Sequence, residues 1–189
     1  MIIKIAITGG IGSGKSTFSN TVIKKGYRVH DSDNVVKSLY KKPTKNFLIY
    51  LNNIGLGNAI RNKKINKKYI SEIIFNNKKI KKKLELYIFD IVTEDRKKFI
   101  KTQIKQKNTI CFFDIPLLFE NNLDSSFNKV ICIIAKKKTR FERLKKNRNM
   151  TYSVFKKIIK YQTTDLERIR KSDIIIRNNL SLNKYNDKI

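Results

Sequence analysis

The stretch Gly9-Gly10-Ile11-Gly12-Ser13-Gly14-Lys15-Ser16 follows an apolar run, Ile2 to Thr8, and leaves the chain few folds to choose from. Small residues at this spacing let successive backbone N–H groups curl around phosphate oxygens. The loop then feeds a helix-compatible segment, Lys15 to Lys25, whose positive end faces the same anion. Strand, Gly-x4-Gly-Lys-Ser loop and helix in that order read as a P-loop, which predicts binding of a nucleoside triphosphate. Gly12, Ser13, Gly14 and Thr17 would line the phosphates, Lys15 would reach the β and γ groups, and the Ser16 hydroxyl would sit on Mg²⁺. Only 7 of the 189 residues are Gly, and four of them stand at positions 9, 10, 12 and 14, so a Gly-rich composition does not produce the pattern. The competing assignment is a strand-to-helix turn without a ligand.

Further strand patterns lie at Tyr27 to His30, Thr109 to Ile115, Lys129 to Ile134 and Asp173 to Ile176. They are short, rich in Ile, Val and Phe, and apolar on both faces, as a parallel sheet covered by helices requires. Helical patterns separate them, which predicts an α/β fold: a doubly wound, parallel five-stranded sheet. Residues 34–107 hold several helical patterns and no clear strand, too much for a simple crossover, and are expected to form a helical, substrate-binding insertion. The core would then comprise about 1–33, 108–136 and 172–189, with a helical lid at about 137–171. The segment Arg61 to Lys68 is expected to be a solvated turn.

Lys and Arg number 43 against 15 Asp and Glu, a formal charge of +28. That excess invites a nucleic-acid partner. However, the cations are spread over the whole chain, and Ile and Asn are also abundant while Gly and Pro are scarce. A/T-rich codons account for all of these together, leaving attraction of phosphorylated substrates as the consequence. No apolar run reaches 18 residues and no signal-peptide pattern opens the chain, so a cytoplasmic protein without a membrane span is expected. Cys111 and Cys132 sit in apolar strand patterns without metal-ligand spacing, which predicts buried, reduced thiols. The single His30 is expected to pack at a strand end.

A GTPase would need an Asp-x-x-Gly contact and an Asn-Lys-x-Asp guanine reader, and neither occurs. A small kinase needs a base, a metal-organising carboxylate and a cationic lid. Asp31-Ser32-Asp33 ends the second strand pattern, where carboxylates of a doubly wound sheet face the ligand crevice. Asp33 could take a proton from an acceptor hydroxyl, or Ser32 or Asp33 could cap the next helix. Phe113-Asp114-Ile115-Pro116 has the form of a strand-terminal Mg²⁺ carboxylate, or of an exposed turn. The basic segment Arg140 to Arg148, followed by Gln162 and Arg168 on the next helical stretch, offers arginines to a transferring phosphoryl group, among ordinary solvated cations.

In this order along nearly the whole chain, these motifs resemble the dephospho-coenzyme A kinase family: Thr8 to Thr17, Asp31-Ser32-Asp33, Asp114-Ile115-Pro116-Leu117-Leu118-Phe119-Glu120, Arg148, Gln162 with Arg168, and Ser172 to Asn179. The resemblance implies ATP-dependent phosphorylation of the ribose 3′-hydroxyl of dephospho-CoA, with Mg²⁺ accompanying ATP. It implies Asp33 as general base and Lys15 with the loop amides on the ATP phosphates. Ser16 and Asp114 would hold Mg²⁺, and Arg148 would be a lid cation, a role Arg140, Arg143 or Arg168 could also fill. Pro116, Leu117, Glu120 and Arg168 would lie toward the acceptor, and Asn178 near the adenine. Three departures stand out: Phe89-Asp90 replaces the family's His-Pro, the stretch Arg148 to Thr151 is one residue shorter and lacks the usual Asp, and the terminal helix after Asn179 looks truncated. Two other classes compatible with a P-loop are a different small-molecule or nucleoside kinase and a non-catalytic basic nucleotide- or nucleic-acid-binding protein.

Overall fold

The computed structural model describes residues 2–179, 185, 186 and 189. Along the chain run β1 (Ile3–Thr8), α1 (Lys15–Lys24), β2 (Arg28–Asp31), α2 (Ser32–Lys41), α3 (Lys45–Asn53), β3 (Ile60–Arg61), β4 (Lys64–Ile65), α4 (Lys67–Asn76), α5 (Lys78–Lys105), β5 (Ile110–Asp114), β6 (Lys129–Ile134), α6 (Lys137–Arg148), α7 (Tyr152–Lys160), α8 (Asp165–Lys171) and β7 (Ile174–Arg177). Several helices start where the sequence places a polar cap. Thr44, Asn66, Thr151 and Thr164 each accept the backbone N–H three residues on, satisfying a donor the helix itself cannot.

The chain divides into two compact units, residues 1–31 with 101–189, and residues 32–100. In the first, five strands form a sheet in the order β2-β5-β1-β6-β7, all pairs parallel. The expected five-stranded parallel sheet is therefore present. β1 lies at its centre, where Ala6 and Ile7 are fully buried. The strands are apolar on both faces because each face is covered: Phe18 and Val22 of α1 pack with Ile7, Phe112, Ile131 and Ile133. Cys111 and Cys132 are free, buried thiols as expected. His30 is buried beside Phe113, with ring centroids 5.9 Å apart.

The second unit has its own core of Leu39, Phe47, Leu51, Ile54, Leu56, Ala59, Ile70 and Leu84. It is mostly helical, but β3 and β4 form a small antiparallel hairpin where a solvated turn was expected. Asn62 and Lys63 make its tight turn with φ of 49° and 58°, the left-handed pair that matches the strand twist. Two-residue strands are too short to show alternation, so the sequence carried no pattern for them.

Candidate functional site

β1 delivers the chain to residues 9–14 at the carboxyl end of the central strand. Backbone bonds shape the turn: Ser13 N–H donates to the Gly10 carbonyl at 3.1 Å, and Phe18 N–H to the Gly14 carbonyl at 3.1 Å. Two glycines are required by conformation and by space. Gly14, the residue before α1, has φ 102°, and a Cβ there would collide with the Asn178 amide. Gly12 has φ 76°, and a Cβ there would approach the Arg140 carbonyl oxygen to 2.8 Å. No side chain caps α1, so its first N–H groups remain available to an anion. Lys15 is half-buried, while Ser16 is exposed and Thr17 half-buried in that first turn.

The end of the chain holds this loop in shape. Asn178 Nδ2 donates to the Ser13 carbonyl at 2.8 Å, Arg143 Nη2 donates to Asn178 Oδ1 at 3.1 Å, and the Tyr185 hydroxyl donates to the Gly14 carbonyl at 3.2 Å. Burial pushes the Tyr185 phenol well above its ordinary pKa, against the opposing pull of Arg143, so it stays a donor. On the other side of the loop, Gln162 Oε1 accepts Ile11 N–H at 3.1 Å.

Two guanidinium groups sit beside Gly10, where a Cβ would collide with Arg140 Nη1 and come within 3.2 Å of Arg168 Nη1. Arg140 is 6% exposed and Arg168 1%. They share Asp165, which lies 3.4 Å from Arg140 Nη2 and 3.1 Å from Arg168 Nη1. Arg168 Nη2 also meets Glu120 Oε1 at 3.2 Å, and the same oxygen accepts Thr163 N–H at 2.7 Å. Burial pulls the Arg140 pKa down; Asp165 opposes this and Arg168 adds to it. Glu120 and Arg168, both expected toward the acceptor, are thus paired with each other.

Carboxylates gather at the same end of the sheet. Asp31 of β2 and Asp114 of β5 are register partners, and Ile7 of β1 is aligned with Asp114 on its other side. Asp114 is buried and its Oδ2 accepts the Ser19 hydroxyl at 2.9 Å. α2 begins at Ser32, so Asp33 is its second residue, exposed and inside the first turn rather than a cap preceding the helix. A carboxylate there is favoured by the helix dipole. Pro116 is half-buried and Leu117 exposed just beyond β5. Arg148 is the exposed last residue of α6, two turns past Arg140. The structure therefore brings the loop, Gln162, Arg140, Arg143, Arg168 and Asn178 together, and puts Arg148 at the far end of its helix. Asp165 and Tyr185 were not singled out from sequence; each is a common residue type in a polar stretch, with no spacing to mark it.

A family model described as dephospho-CoA kinase matches residues 3–184. A dephospho-CoA kinase of Fusobacterium nucleatum is 34% identical over 192 residues, covering all of this chain and 95% of that protein. Among solved structures, a dephospho-CoA kinase from Campylobacter jejuni superposes with a TM-score of 0.73 at 26% identity, covering 100% of this chain and 94% of that one. A Thermus thermophilus protein gives a TM-score of 0.82 at 21% identity, covering 97% and 92%, which bears on the fold alone.

Proposed function

The chain belongs to the dephospho-CoA kinase family, and from that premise we propose that it transfers the γ-phosphoryl group of ATP to the ribose 3′-hydroxyl of dephospho-CoA, giving coenzyme A and ADP. The observation that carries this reading is the family match across residues 3–184, with the P-loop and its supporting side chains inside it.

Phosphoryl transfer asks a protein mainly for positioning and for charge opposite the transferring group. Asp33 accepts the proton of the 3′-hydroxyl; the oxygen bonds to the γ phosphorus while the bond to the β–γ bridging oxygen breaks, and ADP leaves. Lys15 and the N–H groups of residues 12–17 hold the phosphates of ATP. Arg148 is the lid cation, with Arg140 and Arg168 set beside Gly10 by Asp165. Pro116 and Leu117 border the acceptor, and the Glu120–Arg168 pair stands behind them. Asn178 serves the adenine end through the loop it holds.

Mg²⁺ prefers hard oxygen ligands and keeps several waters, so one hydroxyl and one carboxylate are a fitting protein share. Ser16 and Asp114 are the residues that would hold it, and when bound it neutralises charge on the phosphate oxygens. The positive chain attracts its phosphorylated substrates rather than nucleic acid. No helix among the described residues is long and apolar enough to cross a membrane, and the reading places the enzyme in the cytoplasm.

The test is acceptor-dependent ADP release with Mg-ATP, comparing dephospho-CoA, adenosine and a sugar. Turnover should be specific to dephospho-CoA and should fall on the order of a hundredfold in Asp33→Asn with ATP binding nearly unchanged. ADP release that ignores dephospho-CoA would reject the acceptor. A mutant that loses only thermal stability would make Asp33 a helix residue and no base.

A further inference from the structure

Two hydroxyls on α1 are used differently. Thr21 Oγ1 donates to the Thr17 carbonyl at 3.0 Å, the local bond that a hydroxyl inside a helix ordinarily makes. Ser19 sends its hydrogen away from its own helix: its Oγ donates to Asp114 Oδ2 at 2.9 Å, 95 positions further along the chain. Both ends of that bond are buried, Ser19 at 7% exposure and Asp114 at 8%. The flanking Phe18 and Val22 of α1 pack into the core with Phe112 of β5, which brings the helix against the strand that Asp114 ends.

Packing does not ask for that hydroxyl. Alanine is the better helix former and would bring no polar group into the core. What the hydroxyl supplies is a charge-assisted bond that holds one oxygen of a carboxylate and so restricts its rotation at the end of β5. Asp31, the register partner of Asp114 on β2, sets a second carboxylate residue at the same end of the sheet. A donor that keeps Asp114 in one orientation therefore acts where negative charge is concentrated. Ser16 stands three residues before Ser19 in α1 and is its neighbour on the helix surface. Ser16, Ser19 and Asp114 thus follow one another from the first turn of α1 to the end of β5.

We propose that Ser19 is a positioning residue for the Mg²⁺ carboxylate: it acts on the metal through Asp114 and touches neither metal nor nucleotide itself. A hydrogen-bond partner that orients a ligating carboxylate tunes metal affinity, and its loss costs about tenfold to a hundredfold. The inference rests on the proposed function in one respect, that Asp114 holds the metal; the identity of the acceptor does not enter.

Mn²⁺ in place of Mg²⁺ gives a readout that needs no turnover. The full-length protein is saturated with a non-hydrolysable ATP analogue and titrated with Mn²⁺, the free ion being counted by electron paramagnetic resonance. Affinity for the analogue without metal is measured calorimetrically in EDTA. Ser19→Ala should weaken Mn²⁺ about tenfold, with metal-free nucleotide affinity within twofold of wild type. Ser19→Thr, which keeps the hydroxyl, should lose less. In an Asp114→Asn protein Mn²⁺ should already bind weakly, and adding Ser19→Ala should change it less than twofold, because the two residues act as one unit. Mn²⁺ affinity within twofold of wild type in Ser19→Ala would overturn the role, whatever the melting temperature does. So would a full second loss on the Asp114→Asn background, or an equal loss of metal-free nucleotide binding. Should Asp114→Asn fail to fold, Ser19→Ala against Ser19→Thr decides, and equal losses in the two would overturn the role. Weakened Mn²⁺ in a protein that never phosphorylates dephospho-CoA would uphold Ser19 and remove the kinase reading. Normal turnover with Mn²⁺ affinity indifferent to Ser19 would do the reverse.

Discussion

Arg168 and Arg96 are both buried, 1% and 8% exposed, yet Arg168 is closed in by Glu120 and Asp165 whereas Arg96 pairs with no carboxylate among the described residues. The difference separates two uses of a buried cation. Paired, the guanidinium is part of the frame: it ties α8 to the turn after β5 and sets Arg140 against Gly10 through the shared Asp165. Unpaired, its desolvation is not offset by any carboxylate among the described residues, and its pKa is held below the ordinary value. Burial and charge alone do not distinguish the two; the partner list does.

The largest expected effect comes from breaking the paired side. Arg168→Met leaves the half-buried Glu120 without its cation and should cost about 3 kcal/mol of stability, read as a lower urea midpoint at unchanged slope. The same operation at Arg96 should leave stability level or improved, and a drop equal to that of Arg168→Met would erase the distinction. Next in size is Gly14→Ala, which keeps every charge and strains only the loop. The φ of 102° and the collision with the Asn178 amide should cost about 2 kcal/mol and weaken ATP binding. Near-normal ATP affinity in this variant would mean that loop shape matters less than the cations around it.

At neutral pH the smallest effect comes from the thiols behind the paired cluster, whose influence emerges only in alkali. Burial raises Cys132 from 9.0 to about 11, with the charge of Arg168 as the largest opposing influence, and burial raises Cys111 to about 11 too. The folded state keeps these protons after the unfolded chain has lost them. Their stabilising contribution is therefore complete below pH 9 and is lost as pH rises through 11, by at most about 1.4 kcal/mol per pH unit for each thiol. Melting temperature measured across pH 8 to 11 should fall, and less so in a Cys132→Ala background. Slow reaction of both native thiols with an aromatic disulfide at pH 8 should accompany this.

Much of the sheet was legible because its signals are local. Each of the five strands is a short apolar run, and the P-loop glycines stand where φ and close approach demand them. The helix starts at Thr44, Thr151 and Thr164 are likewise written as caps. Asp33 shows the limit of local signals. Its position after the second strand was readable, but whether it capped α2 depended on the helix starting at Ser32, two residues before Asn34. The β3–β4 hairpin was illegible because two-residue strands carry no period.

The sequence by itself determined the parallel α/β architecture, the phosphate-binding loop and the family, since these depend on residue type and spacing within short windows and on their order. Only the tertiary structure decided which polar groups meet. It joined Asn178 to Ser13 across 165 positions and Gln162 to Ile11 across 151, and made Asp165 the shared partner of two arginines. The physical reason is that a hydrogen bond or ion pair forms only where the folded backbone brings donor and acceptor within about 3 Å, and separation along the chain does not specify that meeting.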